Sequence, residues 1–440
     1  MKYDKFFEMA KAAGLEEAEL FISTSYSLSF SLFHSEVDKY SIEEGSSYIA
    51  RGLYNGKFGV ASSDVFNQEK AQYLIDEIKN NASLIECDDP AILFKGSEKY
   101  KKINAYNPEL NKVSIDDKMA KLFELEKRIK ELDSRIHEIE AVEYSESESS
   151  ITLVNSHGLK LTQKTNYFVY VGVAVAKLEE QVKTGFEICF GNDFSKFDVE
   201  TLARKVVAQT VAQLGGEPCE SMTCKAVLDP SVVASLLGAY LSNASAEQVQ
   251  KNSSLFIGKL GQKVASKKLT VMDMPLKKSI FCRWFDDEGV AAYNKPIIKN
   301  GVLQTYLYNL STAAKAGVET TGNGFKSGGK IGIGSTCVTV KPGKKSQEQL
   351  FEEAGNGIYI TSISGLHAGL NAQSGNFSLQ ANGFLIENGK KTTPVDLITV
   401  GGNLVDVFMD IIEVGSDSKE TVGGTSIPSL LIKKIKVSGK

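Results

Sequence analysis

The stretch AVLDPSVVASLLGAYLSN, residues 226–243, spells out a helix with its own start signal. The Asp229 side chain can accept from the free N–H groups of a first turn, and Pro230 suits the first helical position, where no N–H donor is needed. Val233, Leu236, Leu237, Tyr240 and Leu241 then recur at helical spacing, so one face is buried. The last turns are bare of chemistry. Gly238 and Ala239 carry no side-chain donor or acceptor, and a glycine weakens a helix interior by roughly 1 kcal/mol relative to alanine.

Just before this helix, Gly215-Gly216-Glu217-Pro218 punctuates the chain. From Cys219 onward, glycines separate short β-type runs such as IKNGVLQTYLYN, STCVTVKP, NGIYITSIS and FSLQANGFLIENGK. That spacing predicts a mostly antiparallel sheet, sandwich or barrel-like, with few helices. The region before it reads as two α+β units of similar plan. The first has an amphipathic helix (MKYDKFFEMAKAAG), a hairpin over 19–33, strands at 37–43, 47–54 and 57–62, and a helix over 68–80. A polar, Lys-rich linker spans 95–111. The second starts a helix at Ser114-Ile-Asp-Asp117, then places strands at 138–147, 149–155, 160–170, 172–178 and 184–190 and a helix over 199–214. Segments 23–44 and 145–164 both read alternating strand, turn, alternating strand, which suggests a duplicated helix–antiparallel-sheet–helix unit. The expected organisation is therefore α+β, divided at 1–100, 101–218 and 219–440.

A chain of 440 residues is long enough for two or three such domains. Its 50 basic and 54 acidic side chains nearly cancel, at −4, which argues against a dedicated nucleic-acid binder. No apolar run approaches the roughly 18 residues of a membrane span. The charges in the first helix interrupt any signal-peptide core. Six scattered cysteines suggest free thiols in a reducing compartment, hence a cytoplasmic location.

Four chemistries can be tested on the residues. Zinc needs clustered donors, but the four histidines, His34, His137, His157 and His367, include no pair close enough to share a helix turn. Cys219 and Cys224 lack a second matching pair, so no metal is expected. Gly324-Phe-Lys-Ser-Gly-Gly329-Lys330 fits a phosphate-loop spacing, but Ile331 replaces the Ser/Thr that would hold magnesium and no helix readily follows. The expectation is a flexible Gly-rich surface loop over Gly322 to Gly334, long enough for a lid-like role. His367 has no nucleophile or base partner visible in sequence. It reads either as a solvated loop residue or, with Asn371 and Gln373, as one wall of a groove for extended peptide. Finally, WFDDEGV (284–290) carries three consecutive acids. Adjacent acids rarely all converge inward, so a turn with Asp286 and its neighbours facing water is expected.

In its context the 226–243 stretch resembles the opening of the carboxy-terminal domain of the TldD/PmbA family. FDDEGVAAYNKPIIKNGVLQTYLYN (285–309) and NGFLIENGKKTTPVDLITVGGNL (382–404) resemble two further family segments, in the family's order and spacing. The resemblance implies a cytoplasmic metallopeptidase family that acts on peptides through two related subunits. TldD-type subunits carry zinc on an HExxxH helix; PmbA-type subunits, also called TldE, do not. Family roles include trimming leader peptides and degrading an unfolded antitoxin, and an older label is modulator of DNA gyrase. Aligned on V-L-x-P and the Leu-Leu pair, the two His and the Glu of the motif fall on Gly238, Ala239 and Asn243. Five residues separate the two histidines, about 140° on an ideal helix, so a zinc site there also needs a helix end or distortion. The carboxy end, TVGGTSIPSLL, lacks the TldD-type Cys ligand. The resemblance therefore implies a PmbA-type, non-catalytic subunit without zinc of its own, partnered with a zinc-bearing TldD-type chain and working on unfolded peptides. The alternatives are a stand-alone homodimeric peptide-binding protein, or an enzyme with non-zinc chemistry in the His367 loop.

Overall fold

The alternating runs of the amino-terminal half build one sheet. A computed structural model describes residues 1–86 and 89–440. In chain order the elements are α1 (Tyr3–Ala12), β1 (Glu17–Phe33), β2 (Glu36–Tyr54), β3 (Lys57–Ser63) and α2 (Gln68–Ser83), then α3 (Ile115–Leu132), β4 (Ile136–Asn155), β5 (Lys160–Leu178), β6 (Gln181–Gly191) and α4 (Val199–Val211). Each half runs helix, three strands, helix, as the sequence suggests. The six strands join in the order β3-β2-β1-β4-β5-β6. At the centre β1 and β4 pair antiparallel, from Glu19 opposite Asn155 to Leu32 opposite Val142.

The strands are longer than the sequence reading made them. Segment 19–33 is one strand rather than a hairpin, and the breaks expected near 44–46, 148 and 171 stay paired: Gly45 sits opposite Ser25, Glu148 opposite Asn166 and Val171 opposite Glu143. The actual first turn is His34-Ser35, both at positive φ (51° and 61°). That geometry matches the right-handed strand twist, but without a glycine it leaves no sequence signal.

Alternation along β1 decides what each face meets. Leu20 and Ile22 pack with Phe6, Leu74, Ile75 and Ile78 of α1 and α2, while Leu28, Phe30 and Leu32 pack with Leu122, Ile129 and Val206 of α3 and α4. The opposite register carries Glu19 and Phe21. Phe21 joins Leu153, Leu161, Trp284 and Phe285 in a separate cluster that docks the carboxy-terminal region on the bare face of the sheet.

That region is built on β7 (Met222–Leu228) and strands Gly357–Ser364, Asn376–Glu387, Lys390–Asn403 and Leu430–Ser438, which close into a five-stranded barrel. Only β7 and Gly357–Ser364 run parallel within this ring. Helix α5 (Pro230–Leu241) leaves β7 with Asp229 Oδ1 accepting from Ser231 N–H at 2.9 Å, the cap the sequence predicts. Its buried face, including Val233, Leu236, Leu237 and Tyr240, enters one core with the barrel strands. Tyr240 stacks on Phe408 at 4.7 Å between centroids and donates to Val264 C=O at 2.6 Å. Among the described residues no helix is long and apolar enough to cross a membrane. The five described cysteines are free thiols; Cys87 lies outside the described residues.

Candidate functional site

Helix α5 gives way to a single 3-10 turn at Ser242–Ala244, so the three zinc-motif positions straddle a helix end. Gly238 lines a cleft of about 530 Å³ whose walls include Leu237, Gly332, Ile333, Thr421 and Thr425. A Cβ at Gly238 would meet nothing within 4 Å, so the position opens into free space. Segment 421–425, where the sequence lacks a cysteine, thus comes to the same cleft as Gly238.

Asn243 goes elsewhere. It is 2% exposed, and its Nδ2 donates to Tyr240 C=O (3.2 Å) and Ala372 C=O (3.1 Å), while Oδ1 accepts from Leu255 N–H (2.7 Å). This amide is committed to tying the helix end to the 366–376 loop. Ser242, four residues after Gly238, does line the cleft, as do Ser245 and Glu247 beyond the helix end. The donor set does not fit a zinc ion: two positions have no donor atom, and the third is spent on backbone.

His367, Asn371 and Gln373 lie on that same loop, all exposed. His367 sits on the short helical turn Leu366–Gly369. Asn371 Oδ1 accepts from Gln373 N–H (3.0 Å) and Ser374 N–H (2.9 Å), so its acceptor closes its own turn. The Asn243–Ala372 bond brings this loop to the end of α5, but none of the three side chains lines the Gly238 cleft.

The acidic segment overturns its expectation. Asp286, Asp287 and Glu288 are 3%, 5% and 3% exposed rather than facing water. Backbone donors explain the inversion. Asp286 accepts from Glu288, Val290 and Gly324 N–H groups at 2.8–3.0 Å. Asp287 accepts from Lys326 N–H (2.8 Å) and pairs with Arg283, and Glu288 accepts from Leu310 N–H (2.8 Å) at the start of helix Leu310–Ala316. Gly289, at φ +86°, makes the turn, and Tyr100 of the supposed linker donates to its carbonyl at 2.7 Å. Burial pushes the Asp286 carboxyl up to about 6, against the pull of three backbone N–H groups. Burial and the neighbouring Asp286 push Glu288 up to about 8. The flanking Trp284, Phe285 and Gly289 were the available signal that this acidic run is enclosed.

The Gly-rich segment is likewise not a loose surface loop. It forms a hairpin, Gly324–Ser327 with Lys330–Ile333, locked to the sheet. Gly324 is required there: a Cβ would come within 2.5 Å of Glu288 Oε2. Lys326 Nζ meets Glu19 Oε1 at 2.6 Å, with both side chains buried. Glu19 faces Arg51 across β1 and β2. Burial acts to raise the Glu19 carboxyl, but the Arg51 and Lys326 charges outweigh it and hold it below the ordinary carboxylate range. The hairpin also supplies Gly332 and Ile333 to the cleft beside α5. One element therefore joins the buried charge cluster to the cleft.

With this geometry in view, comparison with known proteins is specific. Models of the PmbA/TldA metallopeptidase family match residues 18–82 (domain 1), 108–214 (central domain) and 221–439 (C-terminal domain). A metalloprotease of Methanocaldococcus jannaschii is 27% identical over 97% of this chain and 96% of its own length. Two solved structures superpose over almost the whole chain. A Thermotoga maritima protein described as a modulator of a DNA gyrase has a TM-score of 0.92 at 28% identity, covering 99% of each chain. TldE of Thermococcus kodakarensis has a TM-score of 0.91 at 25% identity, covering 99% of this chain and 100% of its own.

Proposed function

The chain belongs to the PmbA/TldD metallopeptidase family, and we propose that within it this protein is the non-catalytic, PmbA/TldE-type partner of a zinc-bearing TldD-type subunit. One observation carries the reading. Gly238, the position of the first motif histidine, opens onto a formed cleft yet supplies no ligand, and Ala239 beside it supplies no carboxylate to activate a water. The helix, its cap and its core packing are intact, so what has gone is the chemistry and not the scaffold.

In this role the chain stabilises a zinc-bearing partner in the cytoplasm and helps enclose a space that admits extended or unfolded peptide. The exposed loop carrying His367, Asn371 and Gln373 is the proposed peptide-contacting surface. The zinc and the peptide-bond hydrolysis belong to the partner. The test is purification of the chain alone and with a TldD-type subunit. Chelator-sensitive peptidase activity is expected only in the pair. Activity of the isolated chain with stoichiometric zinc would overturn the proposal.

A further inference from the structure

Residues 36–47 of β2 have β1 on one side and no strand on the other, because β3 pairs only with residues 48–54. In the second unit β6 leaves the corresponding part of β5, residues 160–167, without a partner strand. There the chain at 104–107 lies alongside. Ala105 bridges to Thr165, Asn107 N–H donates to Asn166 Oδ1 at 2.8 Å, and Asn166 Nδ2 donates back to Asn107 C=O at 2.8 Å. Among the described residues no bridge or hydrogen bond from another segment reaches the outer side of residues 36–47. From Glu36 to Ser46 every residue except Ser41 is exposed. A bare edge of this length is a template for another strand.

The register says which groups this edge offers. Tyr54 and Lys57 flank the two-residue turn Asn55-Gly56, at φ 51° and 74°, so Tyr54 spends its backbone bonds on β3. Pairing with β1 is unbroken from Leu53 back to Lys39. Every second residue back from Tyr54 therefore turns the same way, and Tyr40, Ile42, Glu44 and Ser46 aim N–H and C=O off the edge. The side chains are equally unspent. Tyr40 and Ile42 are each 49% exposed, and Tyr40 is held nearly parallel to the buried Phe30 ring, 11° apart at 6.3 Å between centroids. Lys39 makes no ion pair among the described residues, and Glu43 accepts only from Ser41 Oγ, at 3.3 Å. Four residues apart on one strand, these two charges stand about 13 Å from each other and cannot pair within the chain. Asp38 is the extra residue of a bulge, since Lys39 sits opposite Ser31 and Val37 opposite Leu32, so the regular ladder begins at Lys39.

We propose that this edge pairs antiparallel with the same edge of a second copy of the chain, with Ser41 on the two-fold axis. Lys39 of each copy then faces Glu43 of the other, and Tyr40 faces Ile42, so each pair occurs twice. Opposite charges and an aromatic set against a β-branched residue are the favourable cross-strand pairs, and Tyr40 and Ile42 also exchange their free backbone bonds. Centring the pairing on Tyr40 or on Ile42 instead would set Lys39 opposite Ser41 or Gly45 and leave both charges unmatched. Charge thus selects one register, and the two six-stranded sheets join into one. No residue of this edge lines the α5 cleft or belongs to the 366–376 loop, so the proposal is independent of the peptidase reading.

Sedimentation equilibrium of the isolated full chain at micromolar concentration tests this, and a reversible dimer is expected. Lys39→Glu and, separately, Glu43→Lys set like charges opposite each other at both places and should weaken the dimer by roughly tenfold or more. The double variant Lys39→Glu/Glu43→Lys restores opposite charges and should associate as the native chain does. Both positions are exposed, so circular dichroism should be the same in all four proteins. Ser41→Cys places two thiols across a non-hydrogen-bonded pair, with Cα atoms about 4.5 Å apart and within disulfide reach. Mild oxidation should link residue 41 to residue 41, identified by mass spectrometry of the joined peptides, while Ser47→Cys should give no such link. A monomeric native chain, a double variant no stronger than the single ones, or a dimer that forms without the 41–41 link would each overturn the proposal.

Discussion

Replacing Glu288 by glutamine should make the protein more stable, by an amount that depends on pH. In the folded chain burial and Asp286 hold the Glu288 carboxyl at about 8, against an ordinary value of 4.5. Below 4.5 both folded and unfolded states bind the proton and nothing is lost. Between 4.5 and about 8 the unfolded chain ionises while the folded chain keeps its proton. Stability therefore falls as pH rises, by about 1.4 kcal/mol per pH unit, and levels off above the folded value. Glutamine never ionises and still offers a carbonyl to the Leu310 N–H. Its advantage over the native chain should grow by roughly 3 kcal/mol from about pH 5 to about pH 7.5. Melting temperatures of the two chains across a buffer series from mild acid to mild alkali measure the difference. An advantage that stays constant, or that grows as pH falls, would refute the assignment of Glu288 as a buried neutral acid.

Lys326→Met leaves Glu19 buried with only Arg51 at 3.5 Å, and should destabilise the chain by about 3–5 kcal/mol in chemical denaturation. Gly238→Ala places a methyl in open space on a helix and should be neutral or stabilising by up to about 1 kcal/mol, read as a shift in denaturation midpoint. Asn243→Ala orphans Leu255 N–H and strips the α5 end from Ala372; a loss of about 2–3 kcal/mol is expected, with faster amide exchange at Leu255.

The α5 helix was legible because its signals are local: an Asp-Pro start and a 3.6-residue apolar period. The duplicated amino-terminal plan was legible for the same reason, since two-residue alternation marks strands such as β5. Strand lengths were not. Gly45 and Glu148 look like breaks in sequence, yet β1 holds Gly45 in register and β1 and β5 hold Glu148. The acidic segment failed differently. Its carboxylates are buried by N–H groups from residues 310, 324 and 326, donors that no local pattern around 286–288 announces. The Gly-rich hairpin failed with it, because Lys326 is fixed by Glu19, some three hundred residues away in sequence. Asn243 was placed on the zinc motif by alignment; the helix end turns its side chain inward instead.

The central claim is that the cleft beside α5 is a peptidase scaffold emptied of its chemistry. The most direct measurement is zinc content and hydrolysis of an unstructured peptide for the isolated chain, its Gly238→His/Ala239→Glu variant, and the complex with a TldD-type subunit. No bound zinc and no chelator-sensitive hydrolysis are expected in the isolated native chain, and both are expected in the complex. Stoichiometric zinc with turnover in the native chain alone would contradict it.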